Sequence, residues 1–525
     1  MFENENTLGK LRAQGRESYF HESYEKAVEQ VRKGKLGKNY PMIIGGKDAF
    51  SKEGTFVDKS PSDTDLVVGY FQKGTRQDAK EAIRAAKDEF EEWSSTPYQD
   101  RVKIFRRAAD IVSERKFELA AEMTFENGKN RYEAVADIDE AIDFLRYYSE
   151  ELEQNKGFDR VMRGVVPAEH ARSILRPYGV WAVISPFNFP LAIATGMSTG
   201  ACITGNTVVL KPASDTPLMS YELARLVHRA GVPGGAFNYV TGPGSTVGSE
   251  LTENEDVEGV AFTGSWDIGA HSFVEFQKGR PRPFIAEMGG KNATIVTKNA
   301  DLEKAAEGVI KAAFGYGGQK CSACSRVYVQ NSVKDEFVKR LVEKASALKV
   351  GDPAEKETFL GPLINQSAYT NFARYAEEAR NSGGRVAFGG GVLKEGKYAK
   401  GYFVEPTILV DAPAGCKLLK TELFVPILAV EAFGDLEGAI NELNDVVYGL
   451  TAGIFSADKN EVDTFFTKAK AGVLYANKVS GSTTGAMVGA QPFVGWKKSG
   501  SSGKGAGGPY YLQQFLREQS QTFYT

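Results

Sequence analysis

The chain has 525 residues, too many for one ordinary core, so two or three sub-structures are expected. A net charge of −3 argues against nucleic acid or an anionic membrane surface as partner, and no run approaches the ~20 apolar residues of a membrane span. The acidic start lacks the order of a secretory signal, and four cysteines in the whole chain fit a reducing compartment without a disulfide framework, so a cytoplasmic location is expected.

In chain order, residues 1–45 are polar and helix-prone, end at Tyr40-Pro41, and read as a surface arm. Helical patterns then dominate to about Leu152. One helix opens near Asp78 and Ala79, a second runs from Tyr98 to Phe125, and a third from Tyr132 to Leu152 carries Ala134, Ile138, Ala141, Ile142 and Leu145 at helical spacing. After Pro177 short apolar runs at 180–184, 207–210, 237–240 and 257–262 alternate with helical stretches about 25 residues apart, the rhythm of βαβ units and a parallel sheet. A second α/β series follows: a strand at 293–296, helices around 301–316 and 333–348, and strands at 402–410 and 427–432. The Gly/Ser-rich stretch 480–508 resembles a linker, but Phe493 and Trp496 within it argue for an ordered loop.

Parallel sheets bind ligands outside the carboxyl ends of their strands. Here those ends run into Ser185-Pro-Phe-Asn-Phe-Pro190, Lys211-Pro-Ala-Ser214, Gly242-Pro-Gly244-Ser-Thr-Val-Gly248 and Thr263-Gly264-Ser265. The glycine spacing misses the usual dinucleotide fingerprint by one residue and is weak alone. Phe262-Thr-Gly264-Ser265 strengthens it, because a small hydroxyl residue can open a helix whose free N–H groups suit a pyrophosphate. Lys211 could bond a ribose hydroxyl, although a lone lysine is more often a solvated charge.

Cys321 and Cys324 lie three apart behind Phe314-Gly-Tyr-Gly-Gly318. Structural zinc needs four ligands, and the remaining cysteines and four histidines show no ligand spacing, so no metal is expected. A redox pair would need a strand-to-helix turn of a small domain. One nucleophile with a bystander fits best. A nucleophilic thiol needs a partner acid or base, and Glu287 in Ala286-Glu-Met-Gly-Gly-Lys291, behind the apolar run 283–286, is the strongest candidate. Asn188 could donate its side-chain N–H to an oxyanion.

Together these segments resemble the aldehyde dehydrogenase superfamily over nearly the whole chain after the first 45 residues. The resemblance makes Cys321 the nucleophile, Glu287 the general base and Asn188 the oxyanion donor. It assigns Ser185, Pro186, Phe187, Lys211, Ser214, Gly244, Gly248, Phe262, Gly264, Ser265, Glu422 and Phe424 to the dinucleotide, with Glu422 and Phe424 at the nicotinamide. Within the superfamily, Lys320-Cys-Ser-Ala-Cys-Ser-Arg326, Glu140 and Thr483-Thr-Gly485-Ala486 resemble the 1-pyrroline-5-carboxylate dehydrogenases, which oxidise glutamate γ-semialdehyde. This implies a substrate site of Glu140, Phe187, Ser322, Gly485, Ala486 and Phe493. Ser214 stands where strictly NAD-dependent relatives often carry glutamate, so NAD is expected with NADP tolerated.

The implied fold is α/β, with a Rossmann-type cofactor domain (46–159 and 179–288), a catalytic domain (289–495) and a β-flap for oligomerisation (160–178 and 496–525), giving a homodimer or higher oligomer. Two departures stand out: Val425 and Val494 occupy positions where the family usually has glycine, so either the backbone differs there or the pockets narrow. A dehydrogenase for succinate or 2-oxoglutarate semialdehyde, or a catalytically silent paralogue, remains an alternative at this point.

Overall fold

A computed structural model describes residues 2–479 and 487–525. Its first large sheet has seven strands in the spatial order Phe284–Glu287, Val257–Thr263, Val180–Ile184, Thr207–Lys211, Phe237–Tyr239, Met42–Ile44, Lys47–Ala49. The first five are parallel. Thr207–Lys211 is buried at every position, and alternate residues point into different cores. Trp181, Val183, Val208 and Leu210 pack with Ala194 and Ala201 of the helix Ala192–Ile203. Ala182 and Val209 pack with Ala79, Ile83 and Ala86 of the helix Arg76–Ser95. Strands buried on both faces are what a doubly covered parallel sheet requires. Chain order reverses between Val180–Ile184 and Val257–Thr263, which pair directly with Ile184 opposite Phe262, and a crevice opens at such a switch point.

The second sheet orders Arg385–Phe388, Thr407–Val410, Ile427–Phe433, Cys324–Gln330, Asn292–Val296, Thr451–Phe455, Val473–Ala476. Only its first strand runs antiparallel to its neighbour. The helix Leu302–Phe314 covers it through Ala305, Val309 and Phe314. A three-stranded antiparallel sheet is formed by Asp159–Met162, Glu169–Pro177 and Leu516–Tyr524. Among the described residues no helix is long and apolar enough to cross a membrane.

Residues 1–45, expected as a surface arm, are integral to the body. The helix Glu17–Gly34 buries Phe20, Tyr24, Ala27 and Val31 in the main core, Lys38–Tyr40 pairs with Asp63–Gln72, and Met42–Ile44 joins the first sheet. Its mean polarity hid a one-sided apolar stripe. The expected helix 98–125 is two helices, Tyr98–Glu114 and Lys116–Asn127, interrupted at Arg115. The helix expected at Asp78 starts at Arg76, because Thr75 and Asp78 form a reciprocal capping box.

Candidate active site

A cleft of about 750 Å³ lies over the switch point. It is lined by Ser185, Pro186, Phe187 and Asn188 after the first crossing strand, by Lys211 after the second, and by Gly244 and Gly248 after the third. Phe262, Gly264 and Ser265 come from the fourth strand, and Glu422 and Phe424 face them from the second half of the chain. The residues at its base suit a dinucleotide. Ser265 caps the helix Trp266–Phe276, so free N–H groups face the cleft at a helix N-terminus. A Cβ on Gly244 would meet nothing within 4 Å, which leaves the backbone there open to a ligand. Among the described residues the Lys211 ammonium bonds the Pro212 carbonyl alone, at 2.9 Å, and burial lowers it to about 8. The Ser185 hydroxyl is buried and has no partner among the described residues. Phe187 and Phe424 meet edge to face at 5.7 Å.

A second, narrower cavity of about 50 Å³ adjoins it and shares Phe262, Thr263 and Cys321 with the cleft. Glu287, Glu140, Ser322 and Phe493 line it, among the apolar side chains of Phe144, Phe189, Met197 and Ile285. Glu287 is the last residue of its strand. Burial pushes its carboxyl well up, against one opposing contact from Gly495 N–H, and its Oε2 has no partner among the described residues. Burial also pushes the Cys321 thiol up, and the charges of Glu422 and Glu287 add to this, while the N–H groups of Ser322 and Cys321 oppose it. The Glu140 carboxyl is raised to about 8 by burial and by Asp137, and no hydrogen bond from another described residue engages it. The Ser322 hydroxyl is buried and has no partner among the described residues.

Cys321 sits in a loop ahead of the strand Cys324–Gln330, at the amino edge of the second sheet. Asn292 holds that loop: its Nδ2 donates to the carbonyls of Cys321 (2.7 Å) and Ala323 (3.0 Å), and its Oδ1 accepts from Thr451 N (3.0 Å). Cys324 is the first residue of the strand, and its buried sulfur lies 3.3 Å from Thr294 Oγ1. The two sulfurs therefore occupy different surroundings: Cys321 packs beside Leu450, Val473 and Phe493, and Cys324 sits in the core of the second sheet.

Not every expected site residue converges. Ser214 is exposed and does not line the cleft. Phe187 lines the cofactor cleft and not the inner cavity where it was expected to meet substrate. Gly485 and Ala486 lie outside the described residues. Val425 is buried among Leu363, Leu423 and Ile427, and neither it nor Val494 lines either cavity. Neither valine has a positive φ; in that stretch it is Phe424, at φ 59°, that bears the left-handed conformation. Tyr511 was missed. It lines the inner cavity near enough to Glu287 for that charge to push its hydroxyl up further than burial alone. It sits within residues 496–525, expected to serve the flap, yet only Leu516–Tyr524 forms the flap strand. No spacing or composition signal marks it.

The aldehyde dehydrogenase family matches residues 50–520. A 1-pyrroline-5-carboxylate dehydrogenase of Geobacillus sp. (strain WCH70) is 40% identical over 505 residues, 95% of this chain and 95% of that protein. The 1-pyrroline-5-carboxylate dehydrogenase from Thermus, solved with bound NAD, is similar at a TM-score of 0.92 and 35% identity, over 100% of this chain and 99% of that one. Proline utilization A from Bdellovibrio bacteriovorus is similar at a TM-score of 0.93 and 36% identity, although this chain spans only about half (53%) of that longer protein. By family match, by identity and by structure, the chain belongs to the aldehyde dehydrogenase family.

Proposed function

We propose that the chain oxidises L-glutamate γ-semialdehyde, the open form of 1-pyrroline-5-carboxylate, to L-glutamate with NAD, as a step of proline degradation. The observation that carries this reading is the placement of Cys321 where two cavities meet, with Glu140, a half-buried carboxylate that no described residue pairs, on the substrate side. The relatives named above and the NAD bound to the Thermus structure support it.

The chemistry follows from the side chains. Cys321 Sγ bonds to the aldehyde carbon. The thiol proton goes to Glu287, whose charge bears on that thiol, and leaves for solvent before Glu287 serves again. The oxyanion accepts from the Asn188 side-chain N–H and the Cys321 backbone N–H; the Asn188 amide is otherwise unengaged among the described residues and borders the same cleft. NAD, when bound, supplies the hydride acceptor, and Lys211, Ser265, Glu422 and Phe424 would hold it. Loss of hydride leaves a thioester on Cys321. Glu287 Oε2 then takes a proton from water, the water oxygen attacks the thioester, the C–S bond breaks and the acid departs. A dry pocket strengthens each of these contacts because no solvent competes.

On the substrate side, Glu140 would pair with the α-ammonium and Ser322 would donate to the α-carboxylate. A succinate or 2-oxoglutarate semialdehyde brings no ammonium and would leave Glu140 buried without a partner, which is unfavourable. The reading also takes the chain as a cytoplasmic homo-oligomer. The flap supports oligomerisation: Val161 on its first strand and Val165 in the turn that follows are 92% and 88% exposed, and the outer edges of the sheet are open among the described residues.

Three outcomes test this reading. Glu140→Gln should lower kcat/KM for glutamate γ-semialdehyde by roughly 10- to 100-fold, the size of one charge-assisted contact, and leave succinate semialdehyde turnover nearly unchanged; equal losses on both would contradict the ammonium assignment. NADP should be used within about 10³-fold of NAD in kcat/KM, about 4 kcal/mol, because Ser214 presents no carboxylate to a 2′-phosphate; a larger gap would refute that tolerance. With its thiol raised by burial and two carboxylates, Cys321 should be mostly protonated at neutral pH in the free protein. Its alkylation by iodoacetamide should keep accelerating above the ordinary cysteine range, near pH 8.5, whereas a plateau below pH 7 would contradict the electrostatics described.

A further inference from the structure

Four charged side chains are packed behind the reacting residues. Lys129 Nζ and Asp137 Oδ2 are 2.6 Å apart, and both side chains are fully buried. Lys320 Nζ bonds both oxygens of Glu133, at 2.8 and 2.7 Å, with its own side chain 4% exposed. Burial alone would raise the Glu133 carboxyl, but Lys320 and Lys129 hold it below its ordinary value. Glu133 and Asp137 are one turn apart on the helix Arg131–Gln154, which also carries Glu140. A Cβ on Gly315 would come within 3.0 Å of Glu133 Oε1 and 3.3 Å of Lys320 Nζ, so the glycine leaves room for the pair.

Stability does not call for such an arrangement. Two buried ion pairs cost desolvation that their attraction only roughly offsets, and well-packed apolar replacements are often as stable or more so. The neighbours of these charges suggest another role. Lys320 precedes Cys321 in the chain. Lys129 Nζ stands 3.7 Å from the ring centroid of Phe189, the residue after Asn188. Asp137 Oδ1 accepts from Ala192 N at 2.7 Å, at the start of the helix Ala192–Ile203, whose N-cap residue Leu191 makes no side-chain cap of its own. One end of the cluster thus fixes the oxyanion segment, the other fixes the thiol loop, and a single helix joins them.

We propose that Lys129, Asp137, Glu133 and Lys320 are positioning residues that set the Cys321 thiol against the Asn188 amide, with Glu140 held in the same frame by the shared helix. The proposal rests on the roles given above to Cys321 and Asn188. A pair of side chains that served only the fold could be exchanged for apolar ones without touching the rate constant. A pair that fixes geometry could not, since an error near 1 Å at the reacting atoms costs on the order of 10²-fold.

The test is the double variant Glu133→Met/Lys320→Met, which removes one pair without stranding a charge. We expect a thermal midpoint close to that of the unmodified protein, an NAD Kd within about twofold, and a kcat for glutamate γ-semialdehyde lowered about 10- to 100-fold. Lys320→Arg, which keeps a cation against Glu133, should recover most of that loss. Should the double variant not fold, Lys320→Gln, which keeps a donor toward Glu133, gives the same readout and should lose kcat with NAD affinity intact. Unchanged kcat in the folded variant, or a loss that Lys320→Arg shares in full, would overturn the positioning role. Absence of turnover in the unmodified protein would instead sink the functional reading itself, so the two failures are separable.

Discussion

The active site depends on a short crossing between the two sheets. The chain leaves the first sheet at Glu287 and enters the second at Asn292, and within that step it must carry the Glu287 carboxyl to one side and clamp the Cys321 loop on the other. Glycine is required at Gly290, where a Cβ would lie 2.6 Å from the Cys321 carbonyl oxygen, and a Cβ on Gly289 would push the Glu422 carboxylate aside. The Gly290 N–H donates to Glu422 Oε1 at 2.9 Å, and Ser499 secures the same strip through Met288 N and the Gly289 carbonyl. Asn292 then spends both ends of its amide on the cysteine loop and Thr451. A thiol at the amino edge of one sheet is thereby brought over the carboxyl edge of the other, which neither sheet would do alone.

The groups gathered there share one electrostatic condition. Glu287 and Lys211 are buried and Glu140, Glu422 and Cys321 are half-buried, and in each case loss of solvent is the leading cause of a shift toward the neutral form. Internal ion pairs do not relieve this for Glu140 or Lys211 among the described residues. Such groups are poised to ionise when a complementary charge arrives, and an amino-acid aldehyde and a dinucleotide bring charges of both signs. The four-residue cluster behind the site is the opposite case: its charges are matched within the protein, so they can hold position without depending on a ligand.

Much of this was legible from particular residues. Ser185–Pro190, Lys211, Gly264-Ser265, Glu287 and Cys321 fall at strand ends or glycine turns, where local chemistry marks the spot, and the structure brings them together. Contacts made across long sequence separations left no such mark. Tyr511 reaches the inner cavity from the segment leading into the flap, and Lys129 meets Asp137 and Phe189 only after folding. The first 45 residues misled through composition, since five buried positions in the helix Glu17–Gly34 suffice to dock it. Val425 and Val494 raised a doubt that backbone geometry answers: neither has a positive φ and neither lines either cavity.

The proposed chemistry turns on one bond, a thioester at Cys321. Glu287→Gln should still acylate but hydrolyse slowly, so mixing it with NAD and glutamate γ-semialdehyde, quenching in acid and mapping peptides by mass should show a glutamyl adduct on the peptide bearing Cys321, with its sulfur modified and that of Cys324 free. An adduct on Cys324 or Cys416, or steady turnover in this variant with no adduct on any cysteine, would contradict it.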